Sequence, residues 1–168
     1  TTAEGGQRVP FIARWPGKIP RGTVCGAVAS LMDMFPTLAR LGGARPPKNR
    51  IIDGKDIWPL LAGHTRESPH EAFYYYYGPQ LQAVRSGNWK LFLPLEARWV
   101  GLGGKTEKGP LALYDLVKDV GETTNVAADH PEVVRRLTAL ADKAREELGD
   151  VGRSGKGERP VGRVANPT

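Results

Sequence analysis

Glu4–Gly17 reads EGGQRVPFIARWPG: a glycine pair, a short apolar run and a second turn. Gly5-Gly6 lets the backbone enter conformations closed to other residues. Val9-Pro10-Phe11-Ile12-Ala13 has the length and apolar character of one buried strand, and Trp15-Pro16-Gly17 stops it. Pro10 cannot donate to a ladder, so it belongs at the strand's first position or on an unpaired side. A buried apolar strand needs partners on both faces and both edges. The rest of the chain is therefore read as what surrounds this strand.

Beyond the loop Lys18–Gly22, Thr23–Ser30 (TVCGAVAS) reads as a second extended segment. Cys25 inside it is expected to be a buried structural thiol. Asp33–Leu41 (DMFPTLARL) has apolar residues at 34, 35, 38 and 41, a helical period. Pro36 suits its first turn, Asp33 its N-cap and Gly42-Gly43 its end. Ala44–Arg50 is a basic, proline-containing linker. Asp53–Gly63 (DGKDIWPLLAG) reads as a turn and a short helix burying Trp58, Leu60 and Leu61. Asp53 and Asp56 lack further oxygen donors nearby, so turn and cap roles are preferred over metal ligation. His64 and His70, in the polar loop His64–Glu71, have no metal-ligand spacing and read as solvated.

Phe73–Tyr77 (FYYYY) is a β-prone strand with one face inward and alternate hydroxyls at a surface or cleft. Gln82–Leu93 is a hairpin turning at Ser86-Gly87-Asn88. Trp99–Gly109 reads as a Gly/Lys loop, Ala112–Leu116 as a last strand, and Asp119–Asn125 (DVGETTN) as a turn. Asp129-His130-Pro131-Glu132 opens a helix with Asp129 as cap. Val133, Leu137, Leu140, Ala141, Ala144 and Leu148 form its apolar stripe, with Arg136 turned to solvent. The tail beyond has no apolar periodicity and is expected to be mobile.

The 168 residues, 40% hydrophobic and 25% charged, have the composition of an ordinary globular protein. No run approaches the roughly 18 apolar residues of a membrane span. A single cysteine excludes an internal disulfide framework and leaves the compartment open. The net charge of +6 attracts anions in general. Two of those charges come from the tail 149–168, and no Lys/Arg block marks a nucleic-acid surface.

Glu-Gly-Gly-x-Arg-Val-Pro with its following apolar strand and Trp-Pro-Gly-x-Ile resembles the sulfatase family, the arylsulfatase-like branch of the alkaline-phosphatase-like fold. Ser30, Asp33, Pro36, Thr37 and Gly42 fit the family's Ser-x-x-Asp-x-x-Pro-Thr segment. Asp53-Gly54-Lys55-Asp56-Ile57 with Pro59–Gly63, the Ala83-Val84-Arg85-x-Gly87-x-x-Lys90 hairpin, and Asp119-x-Gly121-Glu122-x-x-Asn125 resemble further family segments. Val120 stands where the family has proline.

The resemblance implies an α/β fold, the C-terminal part of an alkaline-phosphatase-like sulfatase, with a small antiparallel β-sheet covered by a C-terminal helix. It implies that residues 1–71 end the large domain, 72–148 form the small subdomain, and 149–168 are a flexible tail. It further implies a hydrolase of sulfate esters that uses calcium and a formylglycine made from Cys or Ser in Cys/Ser-x-Pro-x-Arg. Cys25 is followed by Gly26, Ala27 and Val28, so that motif is absent here. In the family the nucleophile, most metal ligands and a sulfate-contacting lysine precede the Glu-Gly-Gly motif. The chain is thus expected to be inactive alone, with no catalytic residue or metal ligand of its own and the N-terminal sulfatase region as its partner. Glu4 and Arg8 are candidates for supporting roles behind the catalytic groups, with a buried ion pair or turn contacts as the alternative. Tyr77 is a weak candidate for the wall of the substrate cleft. A non-catalytic basic module binding polyanions is the alternative of different class.

Overall fold

The computed structural model describes residues 1–101 and 104–158. They form two compact units: Thr1–Gln7 together with the chain from Tyr74 onward, and Arg8–Phe73.

The first unit is built on a four-stranded sheet in the order β1 (Phe73–Tyr77), β2 (Gln80–Ser86), β3 (Trp89–Phe92) and β6 (Ala112–Asp115). The aromatic strand, the hairpin and the last strand all form as the sequence predicts. β2 and β3 are antiparallel, pairing Ser86 with Trp89, which leaves the two-residue turn Gly87-Asn88. β3 pairs antiparallel with β6 through Lys90–Tyr114 and Leu91–Leu113. Directly opposed residues share a face. Val84, Leu91 and Leu113 therefore stand on one side, and Arg85, Lys90 and Tyr114 on the other.

α4 (Pro131–Leu148) packs on β2 and β3, as expected. Its buried stripe is Val133, Leu137, Leu140, Ala141 and Ala144, whereas Leu148 is exposed. The N-cap is His130 rather than Asp129, with Pro131 in the first turn and the His130 ring on Trp89, 4.7 Å between centroids. Arg136 is not idle at the surface: its Nη1 donates to Ser86 Oγ at 2.9 Å.

The Gly/Lys loop expected over 99–109 is instead part of a hairpin, β4 (Leu95–Val100) with β5 (Lys105–Gly109). It lacks an apolar stripe, and two glutamines of β2 attach it to the sheet. Gln80 Nε2 donates to Ala97 O at 2.9 Å, and Gln82 Nε2 donates to Trp99 O at 2.8 Å.

Residues 149–158 fold back rather than trail. Tyr76 Oη donates to Gly149 O at 2.9 Å, and Asp150 accepts from Leu81 N at 3.1 Å and from Arg145 Nε at 2.9 Å. These contacts are polar, which is why no apolar period announced them. Burial, with the Asp150 charge added, pushes the Tyr76 phenol up to about 12. The rest of the expected mobile tail, 159–168, lies outside the described residues.

The Arg8–Phe73 unit departs further from expectation. No strand forms at Val9–Ala13; Val9 is 78% exposed and Ile12 91%. An apolar run becomes a strand only where a neighbour completes its ladder, and among the described residues this run has none. Thr23–Ser30 is likewise not a strand, and Cys25 is exposed rather than buried. α2 (Met34–Leu41) does form, preceded by a 3-10 turn at Leu31–Asp33 and capped by Ser30. Its buried residues are Pro36 and Thr37, while Phe35 and Leu38 are exposed. α3 (Trp58–Leu61) follows a turn in which Asp56 accepts from Trp58 N at 2.9 Å and pairs with Arg40.

The polar centre of this unit is Asp33, fully buried. It stands at the N-cap position of α2, yet its carboxylate caps no α2 amide. It accepts from Ser30 N at 2.7 Å, from Lys55 N at 2.7 Å, and meets His70 Nε2 at 2.8 Å. His70 is thus not a solvated loop histidine; its side chain is buried on Asp33 because a buried carboxylate needs every donor it can reach.

Packing makes a sharp distinction between neighbouring positions of α4. Leu137 is 0% exposed at the middle of the sheet-facing stripe. Leu137→Ala is expected to cost about 2–5 kcal/mol through lost contact and a residual cavity. Arg136→Ala loses one hydrogen bond and should cost about 0.5–1.5 kcal/mol. Urea midpoints of the two variants test this; equal losses would mean that α4 is rotated from the orientation described.

Candidate functional site

On the sheet face opposite α4 stands a lysine. β3 reads Trp-Lys-Leu-Phe, and alternation puts Lys90 on the side away from Leu91. Its side chain is 0% exposed. Burying an ammonium is expensive unless charge and hydrogen bonds replace water. Here Nζ donates to Thr2 O at 2.7 Å and Glu4 Oε1 at 3.0 Å, and lies 2.8 Å from Glu122 Oε1. It also stands over the rings of Tyr75, 4.1 Å from the centroid, and Phe92, 4.9 Å.

The two carboxylates come from opposite ends of the chain. Glu4 opens α1 (Glu4–Gln7), the single helical turn formed by the Glu-Gly-Gly segment. Gly6 permits that turn, since a Cβ there would meet Thr1 Cγ2 at 2.4 Å. Glu4 also accepts from Tyr75 Oη at 2.9 Å and from Arg85 Nη1 at 3.2 Å. Burial by itself would raise the Glu4 carboxyl. The hydrogen bond and charge of Lys90, with help from Tyr75 and Arg85, outweigh that and hold it below the usual carboxylate value. The Tyr75 phenol is driven above its ordinary range by burial and by the Glu4 charge.

Glu122 lies in the Asp119–Asn125 turn with φ of 57°, the left-handed region that non-glycine residues avoid. Asp119 locks the turn by accepting from Thr123 N at 2.8 Å and Thr124 N at 2.7 Å. Asn125 ties it to β6, accepting from Leu113 N at 3.0 Å and donating to Leu111 O at 3.1 Å. So held, Glu122 reaches Lys90 and accepts from Glu4 N at 2.8 Å. Thr2 and Glu4 are both buried as a result.

Beside this cluster lies a cavity of about 350 Å³, whose walls include Thr2, Gln82, Arg98, Trp99, Tyr114 and Glu122. Thr2 Oγ1 donates to Gln82 Oε1 at 2.8 Å, so the N-terminal segment forms part of the wall.

Of the residues singled out from sequence, Glu4 is central. Arg8 is exposed and is not a member of the cluster. Tyr77 is half-buried, its hydroxyl donating to Gly101 O. Lys90 and Glu122 belong to the family-like segments of the sequence, and the sequence pattern assigns them no role. The available signal was a charged residue inside an otherwise apolar strand, which demands an acidic partner. Among the described residues no three His, Cys, Asp or Glu side chains converge to hold a metal ion, and no helix is long and apolar enough to cross a membrane. The cluster holds no nucleophile; it fixes the N-terminal segment, the sheet and the Glu122 turn to one another.

The family model for the C-terminal region of aryl-sulfatase matches residues 68–157. The chain is 39% identical to steryl-sulfatase of Mus musculus over 168 residues, covering 86% of this chain and 27% of that protein. It is 37% identical to arylsulfatase D of Homo sapiens, covering 88% of this chain and 29% of the relative. A solved structure described under metabolism of multiple glycosaminoglycans by Bacteroides thetaiotaomicron superposes with a TM-score of 0.68 at 34% identity, over 84% of this chain and 30% of that one. The chain thus spans under a third of the length of each of these.

If the Lys90 cluster is held electrostatically, its stability must follow the carboxylates. Lys90→Met leaves Glu4 and Glu122 facing one another and is expected to cost about 3–5 kcal/mol at neutral pH. The lowered Glu4 carboxyl contributes stability that is present above the ordinary carboxylate range and lost as pH falls through its native value. The gap between parent and Lys90→Met urea midpoints should therefore narrow from about pH 5 to pH 3. A gap that stays constant would mean that Lys90 acts by packing alone.

Proposed function

Because the chain belongs to the sulfatase family and matches its C-terminal region, we propose that it is the C-terminal part of an enzyme that hydrolyses sulfate esters. The nucleophile, a formylglycine, and the calcium ion are supplied by the N-terminal sulfatase region. The described residues of this chain do not fit a calcium site. Asp33 spends its oxygens on Ser30 N, Lys55 N and His70, and Asp56 spends its own on Trp58 N and Arg40. No step of the reaction is assigned to this chain.

Its contribution is positional, and the observation that carries this is the grip of Lys90 on Thr2 O and Glu4. By the family resemblance, a sulfate-contacting lysine lies shortly before the Glu-Gly-Gly motif. Fastening Thr1–Gln7 to the sheet then fixes the backbone that leads into that lysine. Small misplacements of a reacting group are costly in rate, so a rigid mount has catalytic value without touching substrate. Glu4 acts in this role through Lys90, Arg85 and Tyr75.

A second observation supports a larger whole. In the Arg8–Phe73 unit, Val9, Phe11, Ile12, Phe35 and Leu38 are all exposed, more apolar surface than a self-contained unit leaves open. We assign this unit to the large α/β domain, to be covered by the N-terminal region. The polyanion-binding alternative has no comparable support, since Arg40, Arg85, Lys90 and Arg145 are each engaged by carboxylates.

Two measurements test the reading. The purified 168-residue chain should not hydrolyse an aryl sulfate above buffer, with or without calcium. In the whole protein, Lys90→Met should lower kcat by roughly 10- to 100-fold with KM little changed. Turnover by the chain alone that survives repurification and depends on one of its own residues would overturn the proposal, as would a whole protein indifferent to Lys90.

A further inference from the structure

Among the described residues, Glu122 is the one non-glycine residue with a positive φ, at 57°. The turn around it does not depend on its side chain. Glu122 N donates to Asp119 O at 3.2 Å, and Thr123 N and Thr124 N donate to the Asp119 carboxylate at 2.8 Å and 2.7 Å. Asn125 joins the turn to β6. A glycine at position 122 would meet the same demand on the backbone without strain. The glutamate is therefore explained by what its carboxylate does, and a disfavoured backbone held in place by its surroundings points to function.

The carboxylate acts across 118 positions of sequence: Oε2 accepts from Glu4 N at 2.8 Å. Oε1 lies 2.8 Å from Lys90 Nζ, which itself donates to Thr2 O at 2.7 Å. The Thr2 carbonyl belongs to the peptide unit before Ala3, and the Glu4 amide to the unit after it. Each unit is planar, so the soft rotations between them are φ and ψ of Ala3. A hold on one unit leaves the other free to swing, whereas a hold on both sets the direction of the backbone. Lys90 supplies the first hold and Glu122 the second, and their ion pair ties the two together. The Glu122 side chain is only 9% exposed, so water competes little for the Glu4 amide.

We propose that Glu122 is a positioning residue for the sulfate-ester hydrolysis assigned above. By fixing the Ala3–Glu4 peptide it sets the path of the backbone leading into Thr1, and through that path the placement of the catalytic groups of the N-terminal region. It acts through Glu4 and not on substrate. The proposal rests on the positional reading of Lys90 and adds to it a second, separately testable hold.

Three variants separate the hold from the turn. Glu122→Gly keeps the left-handed backbone and removes the carboxylate. Glu122→Asp keeps the charge but withdraws it by one methylene. Glu122→Gln keeps an oxygen acceptor for Glu4 N without the charge. In the 168-residue chain, the Gly and Asp variants should speed hydrogen exchange of the Glu4 amide about tenfold or more, with the Thr124 amide unchanged. The Gln variant should stay within about threefold of the parent. In the whole protein, Glu122→Gly and Glu122→Asp should lower kcat about tenfold with KM little changed, and Glu122→Gln should recover most of that loss. A kcat indifferent to the Gly and Asp variants, while Lys90→Met still lowers it, overturns this inference and leaves the positional reading standing. If Lys90→Met has no effect either, both fall. A Gln variant as slow as the Gly variant also overturns the inference, because the charge facing Lys90 would then matter and the hold on Glu4 would not. Should Glu122→Gly fail to fold, Glu122→Asp makes the same comparison, since aspartate tolerates the left-handed region.

Discussion

The burial of one ammonium group organises the sheet unit. Lys90 projects from the middle of a four-residue strand into a space that water does not enter, and its charge has to be met there. Glu4, Glu122 and the Thr2 carbonyl meet it, with Tyr75 and Phe92 supplying ring faces. Those groups come from the first residues, the first and third strands and a turn more than a hundred positions from the N-terminus. A single cation thereby brings distant chain segments into register. Satisfying the carboxylates in turn recruits Arg85, the Tyr75 hydroxyl and the Glu4 amide. Two cations and two anions balance, which is what lets such a group of charges exist in a low-dielectric interior.

The left-handed backbone of Glu122 follows from the same demand. A non-glycine residue at φ of 57° is disfavoured on its own. Asp119 and Asn125 anchor the turn on either side, so its conformation is held by bonds other than the one to Lys90. The Arg8–Phe73 unit uses a related device on a smaller scale, with Asp33 collecting two amides and an imidazole. The units differ in their apolar groups. The sheet has its own helix to cover Val84, Leu91 and Leu113, whereas α2 leaves Phe35 and Leu38 open. In the proposed whole enzyme, that difference is the one between a finished subdomain and a portion of a larger one.

Neither polar cluster is built to react. The oxygens of Glu4 and Asp33 are engaged by donors, and an engaged carboxylate is a poor base and a poor metal ligand. Arg98 contrasts with them as the cation whose buried nitrogens lack an acceptor among the described residues. A chain that satisfies Lys90 with two carboxylates and leaves Arg98 without one treats the two cations differently. The first is a fastener.

By itself the sequence determined the elements whose stability is local and periodic. β1, the β2–β3 hairpin and α4 are legible because alternation, a tight turn and an apolar stripe act within a few residues of one another. The motifs around Glu4, Asp33, Lys90 and Glu122 were enough to fix the family. Tertiary structure alone decided what those charged residues do, because Glu4 and Lys90, or Asp33 and His70, meet only after the chain has closed long loops. It also decided against Val9–Ala13 as a strand, since an apolar run states a preference and only a neighbouring strand can satisfy it. The β4–β5 hairpin escaped notice for the converse reason: glutamine hydrogen bonds and backbone pairing hold it, and neither leaves a hydrophobic period in the sequence.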